Sequence, residues 1–246
     1  MRAFLIAVQF LTRLPIRLGE APAPSDLGGS VPYFPLVGLL IGALLAGLAA
    51  RLMPHVSHLL GAGLLLAVWV FATGGLHLDG LGDSADAWVG GQGSRTKTLA
   101  IMKDPFCGPA AVVTLVTVLL VKFAALTTLA SAGDWTRLAL APLLGRATLP
   151  LLFLTTPYVR PGGLGAPMST HLPRRATMIS LLVTAAVVIL VSGTRGIGLI
   201  VVALGVFALL RGLMMHRIGG TTGDTAGALV ELVETAVTVI GAIKYS

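Results

Sequence analysis

LLGAGLLLAVWVFATGGLHLDGLGDSADA, residues 59–87, joins a membrane-length apolar run to a cluster of acid. The twenty residues Leu59–Leu78 contain no Asp, Glu, Lys or Arg, the length an α-helix needs to cross about 30 Å of hydrocarbon. Asp79, Asp83 and Asp86 follow at once, three of the ten carboxylates in the chain within eight residues. On a helix the spacings i, i+4 and i+7 fall within roughly 60° of one another, so all three share a face. Like charges crowded beside hydrocarbon are costly unless a cation neutralises them. A hard divalent ion such as Mg²⁺ takes oxygen ligands and keeps places for water and phosphate. Asp79, Asp83 and Asp86 are therefore expected to hold Mg²⁺; the plainer alternative is a solvated acidic helix end.

Outward from this stretch the same pattern repeats. Runs at about 33–53, 59–78, 110–132, 135–155, 177–191, 197–214 and 225–243 predict seven spans. Residues 3–18 add an amphipathic stretch containing Arg13 and Arg17, expected to lie at the interface or against the bundle. Charged residues make up 11% of the chain and mean hydropathy is +0.92, against about 25% charged in soluble domains. The fold class is all-α, a polytopic membrane bundle of about seven helices plus an N-terminal amphipathic helix. No linker divides it, so residues 1–246 read as one integral-membrane domain. The lone Cys107 excludes an internal disulfide.

The net charge of +7 is spread singly between apolar runs, with no basic stretch to follow a nucleic acid backbone. With seven spans, eleven basic residues share one side, among them Arg2, Arg95, Lys97, Arg160 and Arg217. Four lie opposite, Arg51, Arg137, Arg195 and Lys244, while Lys122 and Arg146 fall within spans. The positive-inside rule then puts the N-terminus in the cytoplasm and the C-terminus outside. Nine of the ten acids fall on the same cytoplasmic side. A transporter should place polar groups on both sides of the midplane, so the bias favours a reaction face.

Asp224, Glu231 and Glu234 form a second acidic set. Asp224 and Glu231 share a face, seven residues apart, and Asp224 is also well placed to cap a helix. Asp224 is expected to join the metal site. Glu231 lies ~10 Å deeper, where an idle carboxylate is expensive; either it serves the reaction or it pairs with Arg146 or Lys122. Lys103, Arg160 and the glycine-rich PGGLGAP, with Gly163 and Gly165, suit phosphate oxygens. His77 is either a phosphate contact or base, or a structural residue. These residues point to a membrane-embedded, metal-assisted transferase acting on a phosphate ester or diphosphate.

FLTRLP at 10–15, YFPLVGLLIG at 33–42, TGGLHLDGLGDSADAW at 73–88, IMKDPFCGPA at 101–110, LGR at 144–146, GGLG at 162–165 and GGTTGDTAGALVELVE at 219–234 resemble cobalamin synthase, the adenosylcobinamide-GDP ribazoletransferase family. The blocks span nearly the whole chain. The resemblance implies an Mg²⁺-dependent enzyme that joins adenosylcobinamide-GDP to α-ribazole, or to its 5′-phosphate, and releases GMP. It implies catalytic roles among Asp86, Asp104 and Glu231, substrate contacts from His77, Lys103, Arg146, Arg160, Gly163 and Gly165, and Asp79, Asp83, Asp86 and Asp224 on the metal. It also implies a bacterial inner membrane with a cytoplasmic active face. Association with other enzymes of nucleotide-loop assembly, or with further copies of the chain, is left open. In IMKDPFCGPA, Pro105 and Phe106 depart from the family pattern. The rival CDP-alcohol phosphotransferase pattern needs an arginine soon after Asp-Gly, and none follows Asp79–Gly80.

Overall fold

The computed structural model describes residues 1–243, and among these every regular element is a helix. Lys244 and the C-terminal Ser246, whose side of the membrane was expected to be outside, lie beyond the described residues. Six helices are long and apolar enough to cross a membrane. They are α3 (Phe34–Leu52, preceded by the short α2, Pro24–Ser30), α7 (Pro109–Ala132), α8 (Trp135–Thr155), α10 (Arg174–Ser192), α11 (Thr194–Ile218) and α12 (Gly223–Ala242). The pair α4 (His58–Thr73) and α5 (Leu76–Gly91) raises the number to as many as seven. The all-α polytopic bundle read from the sequence is the observed fold.

One boundary differs. The apolar run expected to continue to Leu78 stops at Thr73, and α5 leaves the direction of α4 by 86°. Gly74 and Gly75 both adopt the left-handed conformation, with φ of +64° and +69°, which side chains with a Cβ rarely enter. Hydropathy cannot see this break because both glycines and Leu76–Leu78 are uncharged. The consequence is functional: the aspartates sit on a helix laid across the bundle.

The N-terminal helix is shorter than its amphipathic pattern. α1 covers Arg2–Leu11 and ends where Thr12 turns extended, three residues before Pro15. Its face of Ile6, Ala7, Val8 and Leu11 is buried in the core. Beyond it, the Arg13 N–H donates to the Ala72 carbonyl at 2.8 Å, fastening the segment to the α4–α5 break.

At the centre stand α8 and α12, both largely buried, while α7, α10 and α11 turn most of their apolar surface outward. α3 approaches α8 through Gly38 and Gly42, spaced i and i+4. A Cβ on either would lie 2.3 Å from the Pro142 carbonyl oxygen or 2.1 Å from that of Ala139. Small residues at this spacing let helix backbones touch where no hydrophobic effect drives association.

Candidate active site

α5 crosses the first turns of α12 at two glycines. A Cβ on Gly80 would meet the Asp224 carbonyl oxygen at 2.6 Å, and one on Gly227 would meet the His77 backbone at 3.4 Å. This close crossing brings Asp79, at the start of α5, and Asp224, at the start of α12, into one cavity of about 260 Å³. Arg160 lines it too and donates from Nη1 to Asp224 Oδ2 at 2.6 Å. Asp83 stands one turn beyond Asp79. It does not line the cavity itself; burial, then the charges of Asp79, Asp224 and Asp86, push its carboxyl up to about 6, against the opposing pull of Arg160. Asp79, Asp83 and Asp224 thus form one electrostatic group, assembled from two sequence-distant acidic sets.

The glycine-rich loop has a local reason. Gly162 takes a φ of +72°. Gly163 and Gly165 make room for Tyr158, since a Cβ would lie 2.3 Å from its hydroxyl oxygen or 2.4 Å from its ring. Tyr158 is held from behind by an isolated bridge to Thr221, in which the Val159 N–H donates to the Thr221 carbonyl at 2.9 Å. The loop therefore packs Tyr158, Arg160 and the start of α12 against one another, and Gly163 and Gly165 line the cavity.

His77 lines the same cavity at 4% exposure, and its buried Nε2 has no hydrogen-bond partner. An orphaned buried nitrogen costs about 1–3 kcal/mol, which a bound ligand would recover.

The deeper carboxylates are committed elsewhere. Lys122 Nζ donates to Glu231 Oε1 at 2.7 Å and to Glu234 Oε2 at 2.9 Å. The same ammonium lies 3.9 Å from the ring centroid of Trp69, and Arg146, fully buried, pairs with the other oxygen of Glu234. Two cations and two anions close a neutral network inside the bundle. The catalytic role expected for Glu231 and the substrate contact expected for Arg146 are not what this placement offers, because neither residue lines the cavity. The ion-pair alternative is the one observed.

Asp86 also has partners of its own. Its Oδ2 accepts from the Gly108 N–H at 2.6 Å and its Oδ1 from the Ala111 N–H at 2.9 Å. Gly108 and Ala111 are the N-cap and third residues of α7, so Asp86 caps that helix from across the fold. Expected beside Asp79 and Asp83 on a metal, Asp86 is placed here as this cap, each of its oxygens accepting one N–H. Lys103 and Asp104 are exposed, and Asp104 accepts from the Phe106 N–H within its own turn. Neither reaches the cavity.

Among the described residues no three His, Cys, Asp or Glu side chains converge into a ready-made metal cage. Mg²⁺ does not need one: it is commonly bound by one or two carboxylates together with substrate phosphates and water. Hard oxygen donors from the exposed Asp79 and the half-buried Asp83 and Asp224, their charge only partly offset by Arg160, fit that kind of open site.

Residues 3–242 match the profile of the family described as cobalamin-5-phosphate synthase, CobS. The chain belongs to the CobS family. It is 56% identical over 239 residues to an adenosylcobinamide-GDP ribazoletransferase of Pseudomonas paraeruginosa, covering 97% of each chain. A protein of the same name from Pseudomonas aeruginosa PAO1 is 55% identical with the same coverage. One from Pseudomonas putida F1 is 56% identical over 237 residues, 96% of this chain and 97% of its own. No solved structure matches. Within this CobS-family chain, Tyr158, Phe10 and Phe153 are cavity residues that sequence reading passed over. Phe10 opens the FLTRLP block and Tyr158 is an aromatic set just before the glycine-rich loop, while Phe153 left no trace.

Proposed function

We propose that this chain joins adenosylcobinamide-GDP to α-ribazole, or to α-ribazole 5′-phosphate, at the cytoplasmic face of a bacterial inner membrane. A ribose hydroxyl other than the 5′ one, which the phosphate occupies in the second acceptor, forms a bond through its oxygen to the phosphorus on the cobinamide side. The diphosphate bridge breaks, and GMP leaves with the bridging oxygen. The hydroxyl proton passes to a carboxylate, and Asp79, the more open member of the cluster, is the acceptor best placed for it. Arg160 holds Asp224 in place and presents its remaining guanidinium N–H groups to the departing phosphate. Asp79, Asp83 and Asp224 would hold Mg²⁺, which supplies neutralisation of charge on the diphosphate.

The observation that carries this reading is the meeting of Asp79 and Asp224 with Arg160 in one cavity. The names of the Pseudomonas relatives, over nearly full length, support the substrates. The basic and acidic bias of the loops supports the cytoplasmic face. The test is GMP release by purified protein in detergent, offered adenosylcobinamide-GDP and either acceptor. Release should require both substrates, stop on chelation by EDTA and return with Mg²⁺. Release without an acceptor would identify a hydrolase instead.

A further inference from the structure

The cavity is walled by two different chemistries. α5, α12 and the 157–165 loop contribute Asp79, Asp224 and Arg160, while α1 and α8 contribute Phe10, Leu149 and Phe153. His77 lines the same space, and its Nε2, closed off from solvent, has no hydrogen-bond partner. A volume of about 260 Å³ lies just below the roughly 300–1,000 Å³ of ordinary small-molecule pockets. That is room for a nucleoside and far too little for a corrinoid carrying a nucleotide.

We propose that this cavity is the nucleoside subsite: the flat apolar base of ribazole lies against Phe10, Leu149 and Phe153, and its ribose meets His77 Nε2, leaving the corrinoid outside the mouth. The assignment rests on the function proposed above and adds to it which substrate is enclosed. Aromatic side chains offer a flat base large contact area at low entropic cost. A ribose hydroxyl both donates and accepts, so it satisfies Nε2 in either tautomer of the imidazole. Asp79 and Asp224, sharing the cavity, then stand beside the end of the ribose that reacts. The N-terminal segment becomes part of specificity, because Phe10 stacks on the buried Phe34 with centroids 5.8 Å apart. Arg13 packs on Gly74, where a Cβ would meet its Nε at 2.0 Å, so α1 is fixed to the break that orients α5.

The experiment uses the full chain in detergent and α-ribazole alone, without metal or corrinoid. α-Ribazole should raise the melting temperature of the wild type and leave those of Phe153→Trp and His77→Phe nearly unchanged. In turnover, KM for α-ribazole should rise roughly tenfold in both variants, with KM for adenosylcobinamide-GDP within about twofold of wild type. Leu149→Phe, which only adds volume, carries the same expectation should Phe153→Trp fail to fold. A rise in KM for the corrinoid instead, or an undiminished thermal shift in the variants, would overturn the subsite. Wild-type protein that binds α-ribazole through these residues but releases no GMP would leave the subsite standing and remove the proposed reaction.

Discussion

Lys122 and Glu231, 109 residues apart in the chain, meet at 2.7 Å with side-chain exposures of 2% and 7%. The pair ties α7 to α12 inside the bundle. Building such a pair yields little net stability, since desolvation offsets attraction, but removing one partner strands a charge. Lys122→Met leaves Glu231 and one oxygen of Glu234 without their cation, and should cost about 3–5 kcal/mol. Unfolding of the detergent-solubilised protein would measure it. Glu231→Gln should cost less, and the folded fraction should keep its GMP release and its response to Mg²⁺. A loss of turnover beyond roughly 100-fold in that fraction would return Glu231 to the chemistry.

Gly80→Ala tests the crossing of α5 and α12. Its Cβ would sit 2.6 Å from the Asp224 carbonyl oxygen, and a main-chain oxygen has no rotamer by which to yield. The helices must separate, parting Asp79 and Asp83 from Asp224. A misplacement of about 1 Å at a reacting centre costs on the order of 100-fold, so activity should fall by that much while most of the fold survives. Gly82→Ala is the control, because its Cβ would meet only side-chain carbons at 3.4 Å.

The bundle was legible because span length and charge density follow directly from burial in hydrocarbon. Asp79, Asp83 and Asp224 were legible for the same reason, as carboxylates where carboxylates are costly. The sequence could not show which acids already had partners. Asp86 shares a helical face with Asp83, yet each of its oxygens accepts a backbone N–H at the N-terminus of α7. Glu231 reads as reactive until α7 places Lys122 against it. Cavity walls such as Phe10 and Phe153 are apolar residues within apolar segments, and no pattern separates them from core.

Sidedness can be read with the native thiol. Cys107 is free and exposed in the turn before α7. It should react with a membrane-impermeant maleimide in inverted vesicles and not in intact spheroplasts. In a Cys107→Ser background, Thr170→Cys should label from the same side and Ser131→Cys from the opposite one; all three positions are exposed. Thr221 is unsuitable as a reporter, being fully buried. Labelling of positions 107 and 170 from opposite sides would refute the seven-span order.

The acidic cluster also predicts a pH response of the metal-free protein. Asp83 titrates near 6 in the fold against an ordinary value of 3.8. Between these values the native state holds a proton that the unfolded chain has released, so stability at Asp83 falls as pH rises through this window. The contribution is fully present below about 3.8 and lost above about 6. Asp83→Asn, which does not titrate, should flatten the dependence of melting temperature on pH across that interval. An unchanged slope would mean that Asp83 is not held in the environment described.

Asp83 and Asp86 lie three residues apart on α5, and the structure assigns them different work. Asp83→Asn keeps the side-chain shape and removes one charge from the cluster with Asp79 and Asp224, so affinity for a hard cation should drop. The expected result is a loss of GMP release with melting temperature held or raised, since repulsion from Asp79 is relieved. Asp86→Ala removes acceptors from two α7 N–H groups, and lost helix caps cost about 0.5–2 kcal/mol. It should therefore lower stability while the Mg²⁺ concentration for half-maximal activity stays within about twofold, because Asp86 leaves the cation site untouched. Asp86→Asn should recover part of the stability, its amide oxygen still accepting one N–H. Were Asp86→Ala instead to raise the Mg²⁺ requirement while leaving stability unchanged, Asp86 would be a ligand after all and the cap would be incidental.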